Sequence, residues 1–222
     1  MTTVSNDERV RLRSATEEDV PFVAWVMLAA SRSHLPRGIW EYLYDLDEAR
    51  ALAYLERLAV TDTVHLFHHS LFVVAEVGGQ PAAAMCGYDP ATQGFAQFGS
   101  ALPEVAGAAG IALDDPELGR RTGVLMAGFV EPPVERAWIV ENVATRPEFR
   151  RRGLVDALLA EVLDRGRAKG FDTGQIGVFI GNEPARRAYI KAGFDVVGEK
   201  RDAGWDTEIG CPGTELLLQP LT

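Results

Sequence analysis

The stretch RPEFRRRGLV, residues 146–155, places Arg146, Arg150, Arg151 and Arg152 within seven positions and follows them with Gly153. The preceding RAWIVENVAT reads as a strand. The following RRGLVDALLAEVLDRGRAKG reads as a helix, because its apolar residues at 154, 155, 158, 159, 162 and 163 form one face. A strand that turns through Arg and Gly into a helix presents unpaired backbone N–H groups and the positive end of the helix dipole, which together make an anion site. Gly153 permits close approach, and the arginines add charge-assisted contacts to phosphate. A pyrophosphate-bearing ligand suits this arrangement. The competing reading is a solvated helix start whose arginines pair with Glu148, Asp156 and Glu161.

A second chemical signal is Glu141, which interrupts the apolar WIVENVA. A carboxylate there is costly unless it is hydrogen-bonded or faces a cleft. Strict alternation predicts that Glu141 shares a face with Val143 and Thr145. The alternative is a structural Glu satisfied by a neighbouring arginine.

Other signals carry less. Neither a Walker A sequence nor a dinucleotide glycine pattern occurs near the arginines, which disfavours ATPase and dehydrogenase chemistry. His65, His68 and His69 lack a carboxylate or Cys at ligand spacing, so they read as a polar strand entry and no metal is expected. Cys86 reads as a small core residue, and Cys211, in GCPG, as a turn residue open to exposure without a positioned base. Trp40, Tyr42, Tyr44 and Trp205 could line an acceptor pocket, with core or rim packing the preferred reading.

The elements that must position these groups follow from periodicity. VRLR, residues 10–13, alternates as a strand, and a helix follows with Thr16 as N-cap and a stripe at Val23, Val26, Met27 and Ala30. A single helix is predicted over 38–59, then a hairpin around GGQ. Residues 89–133, rich in Ala and Gly, are an insertion with one or two short helices. After residue 136 come the strand and helix above, the strand TGQIGVFI and a short helix in NEPARRAYIKAGF capped by Asn182. The strands FDVVGEK and TELLLQPL, joined by RDAGWDTEIGCPG, close the chain. Strand and helix alternate, predicting a mixed α/β sheet, antiparallel at its ends. No linker or repeat divides the chain, so residues 1–222 read as one domain.

With 22 Lys+Arg against 32 Asp+Glu, the net charge of −10 opposes nucleic-acid binding. Two cysteines make no disulfide framework, and the polar start MTTVSNDERV reads as neither signal nor transit peptide. No apolar run approaches the roughly 18 residues of a membrane span, so the expectation is a cytoplasmic protein with no membrane partner.

ENVATRPEFRRRGLV resembles the acyl-CoA loop of the GNAT acyltransferase superfamily, [RQ]-x-x-G-x-[GA], with Arg150 and Gly153 in the first two fixed places and Val155 where the family prefers Gly or Ala. The family's second signature, N-x-x-A-x-x-x-Y-x-x-x-G-F, is met by Asn182, Ala185, Tyr189, Gly193 and Phe194. The match is strongest over 136–200 and does not cover the insertion.

The resemblance implies a largely antiparallel sheet with a central splayed parallel pair, the strand ending near Thr145 and the strand at 174–180, flanked by helices. It implies acetyl-CoA as co-substrate and N-acetylation of a primary amine on a small molecule or peptide by direct attack. Val143, Ala144 and Thr145 would line the pantetheine arm. Arg150, Arg151, Arg152, Gly153, Leu154, Val155 and Asp156 would hold the pyrophosphate, and Asn182 would cap its helix and touch the pantetheine. An ammonium of pKa about 10.4 must lose a proton first, which points to Glu141 as base, and the family's usual donor to the departing thiolate is the tyrosine that Tyr189 matches. The first two helices, the insertion and the 202–213 loop are left for the acceptor. A catalytically silent acyl-CoA-binding regulatory module, or a general anion-binding adaptor, is the alternative. Monomer and homodimer both remain open.

Overall fold

The computed structural model describes residues 9–129 and 133–221; the polar start and residues 130–132 of the insertion lie outside them. β1 (Val10–Ser14) leads to Thr16, which caps a 3-10 turn, Glu17–Asp19, through a reciprocal bond from its own N–H to Asp19 at 2.8 Å. α1 (Val20–Arg32) follows and buries Val23, Val26 and Met27.

The single helix expected over 38–59 is two, α2 (Ile39–Tyr44) and α3 (Glu48–Leu58). Asp45 takes the left-handed conformation, φ 52°, and the Asp47 carboxylate accepts from Arg50 N at 2.9 Å. Short acidic side chains compete with helical backbone bonds, so DLD ends one helix and caps the next.

β2 (Phe72–Val77) and β3 (Gln80–Tyr88) form the expected hairpin. Its turn needs two residues of positive φ, supplied by Gly78 (58°) and Gly79 (78°). The insertion departs from expectation by holding three helices, α4 (Pro90–Gln93), α5 (Phe95–Ala109) and α6 (Pro116–Gly128). The buried stripe of α5 is small, Ala101, Val105 and Ala106, which leaves little periodic contrast in the sequence.

β4 (Ala137–Thr145), α7 (Leu154–Ala168), β5 (Thr173–Phe179), α8 (Glu183–Lys191), β6 (Asp195–Arg201) and β7 (Gly213–Pro220) complete the chain. The seven strands run β1-β2-β3-β4-β5-β7-β6, and β4–β5 is the parallel pair. One face carries a core built from α1, α3 and the β2–β4 side chains that face them; α7 and α8 cover the other. Among the described residues, no helix is long and apolar enough to cross a membrane.

The three histidines precede β2 in a loop and a 3-10 turn, His69–Leu71, rather than entering a strand. His65 is fully buried, its Nδ1 accepting from Phe67 N at 3.2 Å and its Nε2 lying 3.0 Å from Thr61 Oγ1. Because the Thr61 hydroxyl donates to Thr63 O, this pattern fits the neutral ring protonated at Nε2. Burial pushes its pKa from 6.5 down to about 4. As the pH falls between those values the unfolded chain takes a proton that the folded one refuses, so stability should drop by about 3 kcal/mol by pH 4. Urea unfolding at pH 7 and pH 4.5 should show this loss, reduced in His65→Gln; an equal loss in the variant would contradict it. Among the described residues no His, Cys, Asp and Glu cluster could hold a metal ion.

Candidate active site

β4 and β5 pair only from Ala137↔Thr173 to Val140↔Ile176. From Glu141 onward β4 pairs with β3 alone, and from Gly177 onward β5 pairs with β7 alone, so the two strands open into a cleft. The opening coincides with a bulge. Ala84 pairs with Ala144 and Cys86 with Glu141, so one residue of β3 faces two of β4. Asn142 takes the strain, with φ 53°, a region Asn tolerates better than most side chains, and its Nδ2 lies 3.6 Å from Cys86 Sγ.

The bulge reverses the side-chain alternation. Val140 and Val143 both pack toward α7, whereas Ile139 and Ala144 pack toward α1. Glu141 sits opposite Cys86, with Tyr88 its diagonal neighbour two residues along the same face of β3, and both Cys86 and Tyr88 belong to the α1-side core. The expectation that Glu141 shares a face with Val143 and Thr145 is therefore wrong, because strict alternation does not survive the extra residue. No arginine pairs with Glu141 among the described residues. Burial raises its pKa to about 7, against a smaller opposing effect of the neighbouring Tyr88 hydroxyl.

The arginine loop is a 3-10 turn, Pro147–Phe149, followed by two left-handed residues, Arg151 (φ 61°) and Gly153 (φ 74°), before α7. Among the described residues the backbone N–H groups of 151 to 156 donate to no protein acceptor. A Cβ at Gly153 would meet nothing nearer than Asp156 Oδ2 at 4.0 Å, so the backbone there is open. The ion-paired reading of the arginines does not hold. Asp156 is taken by Lys191 at 2.6 Å and Glu161 by Arg165 at 2.8 Å. Arg146 instead stacks over Phe22 (5.0 Å) and Trp25 (6.0 Å), Arg152 over Phe149 (5.6 Å), and Arg150 Nε lies 3.4 Å from Thr145 O. Val155 packs against the core under α7. Thr145 Oγ1 is buried at the cleft strand's end and has no hydrogen-bond partner among the described residues.

Asn182 caps α8, its Oδ1 accepting from Ala185 N at 3.3 Å, and its Nδ2 donates to Ser33 Oγ at 2.7 Å, joining the α8 start to the end of α1. Tyr189 is 6% exposed, packs beside Phe194 with Ala185, Ala188 and Ala192, and has its pKa raised by burial. Glu141 and Tyr189 thus belong to opposite faces of the sheet, on either side of the opening.

Further out, Trp40 stacks on Tyr44 and packs against a tilted Tyr54 and an edge-on Phe67 in the core, and the Tyr42 hydroxyl donates to Glu208 at 2.6 Å. Trp205 is fully buried against α6, its Nε1 donating to Leu125 O at 3.0 Å. Cys211 is buried, not exposed as its turn sequence suggested, because a π turn, Trp205–Ile209, folds the loop inward and leaves the thiol 3.1 Å from Gly213 O. Cys86 is a buried core thiol, as expected. Tyr88 and Asn142 are site residues that sequence reasoning missed. Asn142 offered one clue, an αL-tolerant residue inside a strand.

Among solved structures, an acetyltransferase crystal structure aligns with TM-score 0.69 and 19% identity, covering 96% of this chain and 100% of the other. The ribosomal-protein-S18-alanine N-acetyltransferase from Escherichia coli aligns at 0.53 and 16% identity, covering 96% and 95%. The yncA protein from Salmonella typhimurium, solved with its cofactor acetyl-CoA, aligns at 0.54 and 16%, covering 96% and 94%. At such identities the likeness is one of fold. Among curated proteins no match is found. The family described as Acetyltransferase (GNAT) family matches residues 40–194, well over half of the sequence, and the chain belongs to that family.

Proposed function

We propose that this protein transfers the acetyl group of acetyl-CoA to a primary amine of a small molecule or peptide by direct attack, with Glu141 as base and Tyr189 as proton donor at sulfur. The observation that carries the reading is the place of Glu141, the first residue where β4 leaves β5, at which burial raises the carboxyl's pKa to about 7. A base so tuned is about half ionised at neutral pH and readily takes a proton. The free N–H groups of 151 to 156 and the orphaned Thr145 hydroxyl fit a pyrophosphate and an amide-bearing arm.

Acetyl-CoA supplies the activated acetyl thioester. Glu141 takes a proton from the ammonium, the neutral amine nitrogen bonds to the carbonyl carbon, and as the C–S bond breaks Tyr189 gives its proton to the departing sulfur and is restored by the proton that the acylated nitrogen sheds, leaving amide and CoA thiol. Burial keeps that phenol protonated. Arg151 and Arg152 have no carboxylate partner among the described residues and supply charge to the phosphates. Val155 leaves the loop backbone unobstructed because its side chain turns to the core.

Release of CoA thiol in a panel of amino acids, polyamines, aminoglycosides and peptide N-termini tests the activity. Acetyl-CoA binding without turnover on any amine would instead favour the silent binding module. Tyr189→Phe should lower kcat about 100-fold with little change in the KM for acetyl-CoA; an unchanged kcat would remove Tyr189 from the scheme.

A further inference from the structure

We infer that Tyr88 is the positioning residue of the base: on the same face of β3, diagonal to Glu141, its hydroxyl is placed to donate to the Glu141 carboxylate and orient it beside the opening between β4 and β5. This rests on the reading of Glu141 as the base. Tyr88 ends β3, pairs with Ile139 and is 2% exposed, so its ring is fixed by the α1-side core on the face of β3 that Glu141 adjoins, diagonal to that carboxyl and within the span of a tyrosine side chain. The next residue, Asp89, caps α4 by accepting from Ala91 N at 2.9 Å, which fixes the strand end from the other side.

Among the described residues nothing else nearby can do this work. Cys86, opposite Glu141, is a buried thiol held protonated by burial and by the carboxylate's charge. Arg32, the one titratable side chain of α1, is committed to Glu41 and Glu48, and neither α4 nor β5 carries a titratable side chain. Tyr88 is itself kept protonated by burial and by Glu141, so it acts as a donor and not as a second base.

The choice of a hydroxyl over a cation has a chemical meaning that the same protein displays elsewhere. Asp19 and Glu41, each bonded by an arginine, have carboxyls held below their ordinary range and could accept no proton near neutrality. A neutral donor offsets part of the desolvation of Glu141 and leaves it able to cycle. Phenylalanine at 88 would leave the carboxylate without a protein donor.

The test is the titration of the Glu141 side-chain carboxyl, followed by 13C NMR in the full-length protein and assigned by its loss in Glu141→Gln. Tyr88→Phe should raise the midpoint by about one unit. The acid limb of kcat/KM for an accepted amine should move equally, a loss of about fivefold at pH 7 that shrinks at higher pH. Replacement of Tyr88 by 3-fluorotyrosine, a more acidic donor that keeps the ring, should move both downward and serves if the Phe variant does not fold. A midpoint unmoved by either change overturns the inference. If the midpoint moves but Glu141→Gln keeps its rate, Tyr88 contacts a carboxyl that is not the base, and it is the proposed mechanism that falls. If Glu141→Gln is inactive while Tyr88→Phe leaves the midpoint in place, the mechanism stands and the role of Tyr88 does not.

Discussion

Glu141→Gln is expected to lower kcat/KM for the amine by about 10² to 10⁴-fold, to flatten its rise through pH 7, and to leave acetyl-CoA binding intact. The size follows from the ordinary contribution of a positioned base, and the pH dependence from a carboxyl that must be ionised to act and whose pKa is about 7. The same variant should gain stability. The folded pKa lies above the ordinary 4.5, so between those values the folded protein binds more protons than the unfolded chain, and stability falls as the pH rises. Above pH 7 the ionised carboxylate costs about 2 kcal/mol, less than full conversion of the shift because the half-buried side chain keeps some water. Urea unfolding at pH 8 should find Glu141→Gln more stable than the parent, and at pH 4 equal to it. An inactive variant that is also unstable at pH 8 would point to a structural role for Glu141 instead.

The second large effect is expected at the arginine loop. Replacing Arg151 and Arg152 together by Ala should raise the Kd for acetyl-CoA about 10 to 100-fold, a range set by two charge-assisted phosphate contacts that remain open to solvent. Neither side chain has a carboxylate partner among the described residues, so their loss breaks no ion pair and the fold should be unaffected. Calorimetric titration over a range of salt should also show a shallower dependence of log Kd on log salt than in the parent. Unaltered affinity would mean that the backbone N–H groups alone hold the ligand, or that the anion lies elsewhere.

What could be read from the sequence was what is local in the chain. The loop at 146–156 is a strand, a turn and a helix in immediate succession, so its residue types and spacing already mark the helix start whose N–H groups find no acceptor among the described residues. The α8 start was legible for the same reason, since Asn182 and Pro184 act on their own helix. Tyr88 was not, because its meeting with Glu141 depends on the β3–β4 register and on a bulge that one Asn in a left-handed conformation creates. That bulge also defeated the alternation argument for Glu141 while leaving the residue at the cleft. Asp45 broke a helix that leucine periodicity alone would have continued. α5 and α6 hid among Ala and Gly, whose small side chains give little amphipathic contrast, and Cys211 was buried by contacts with an element distant in sequence, α6.

The central claim is direct transfer from acetyl-CoA to a primary amine across the β4–β5 opening. Its most direct test is a rapid-quench experiment with labelled acetyl-CoA, with and without an accepted amine, in which CoA thiol, N-acetylated product and protein-bound label are measured together. The account expects thiol and product to appear in equal amounts, only with the amine present, and no acetyl group on the protein. Labelled protein in the absence of amine, or thiol released without product, would contradict it.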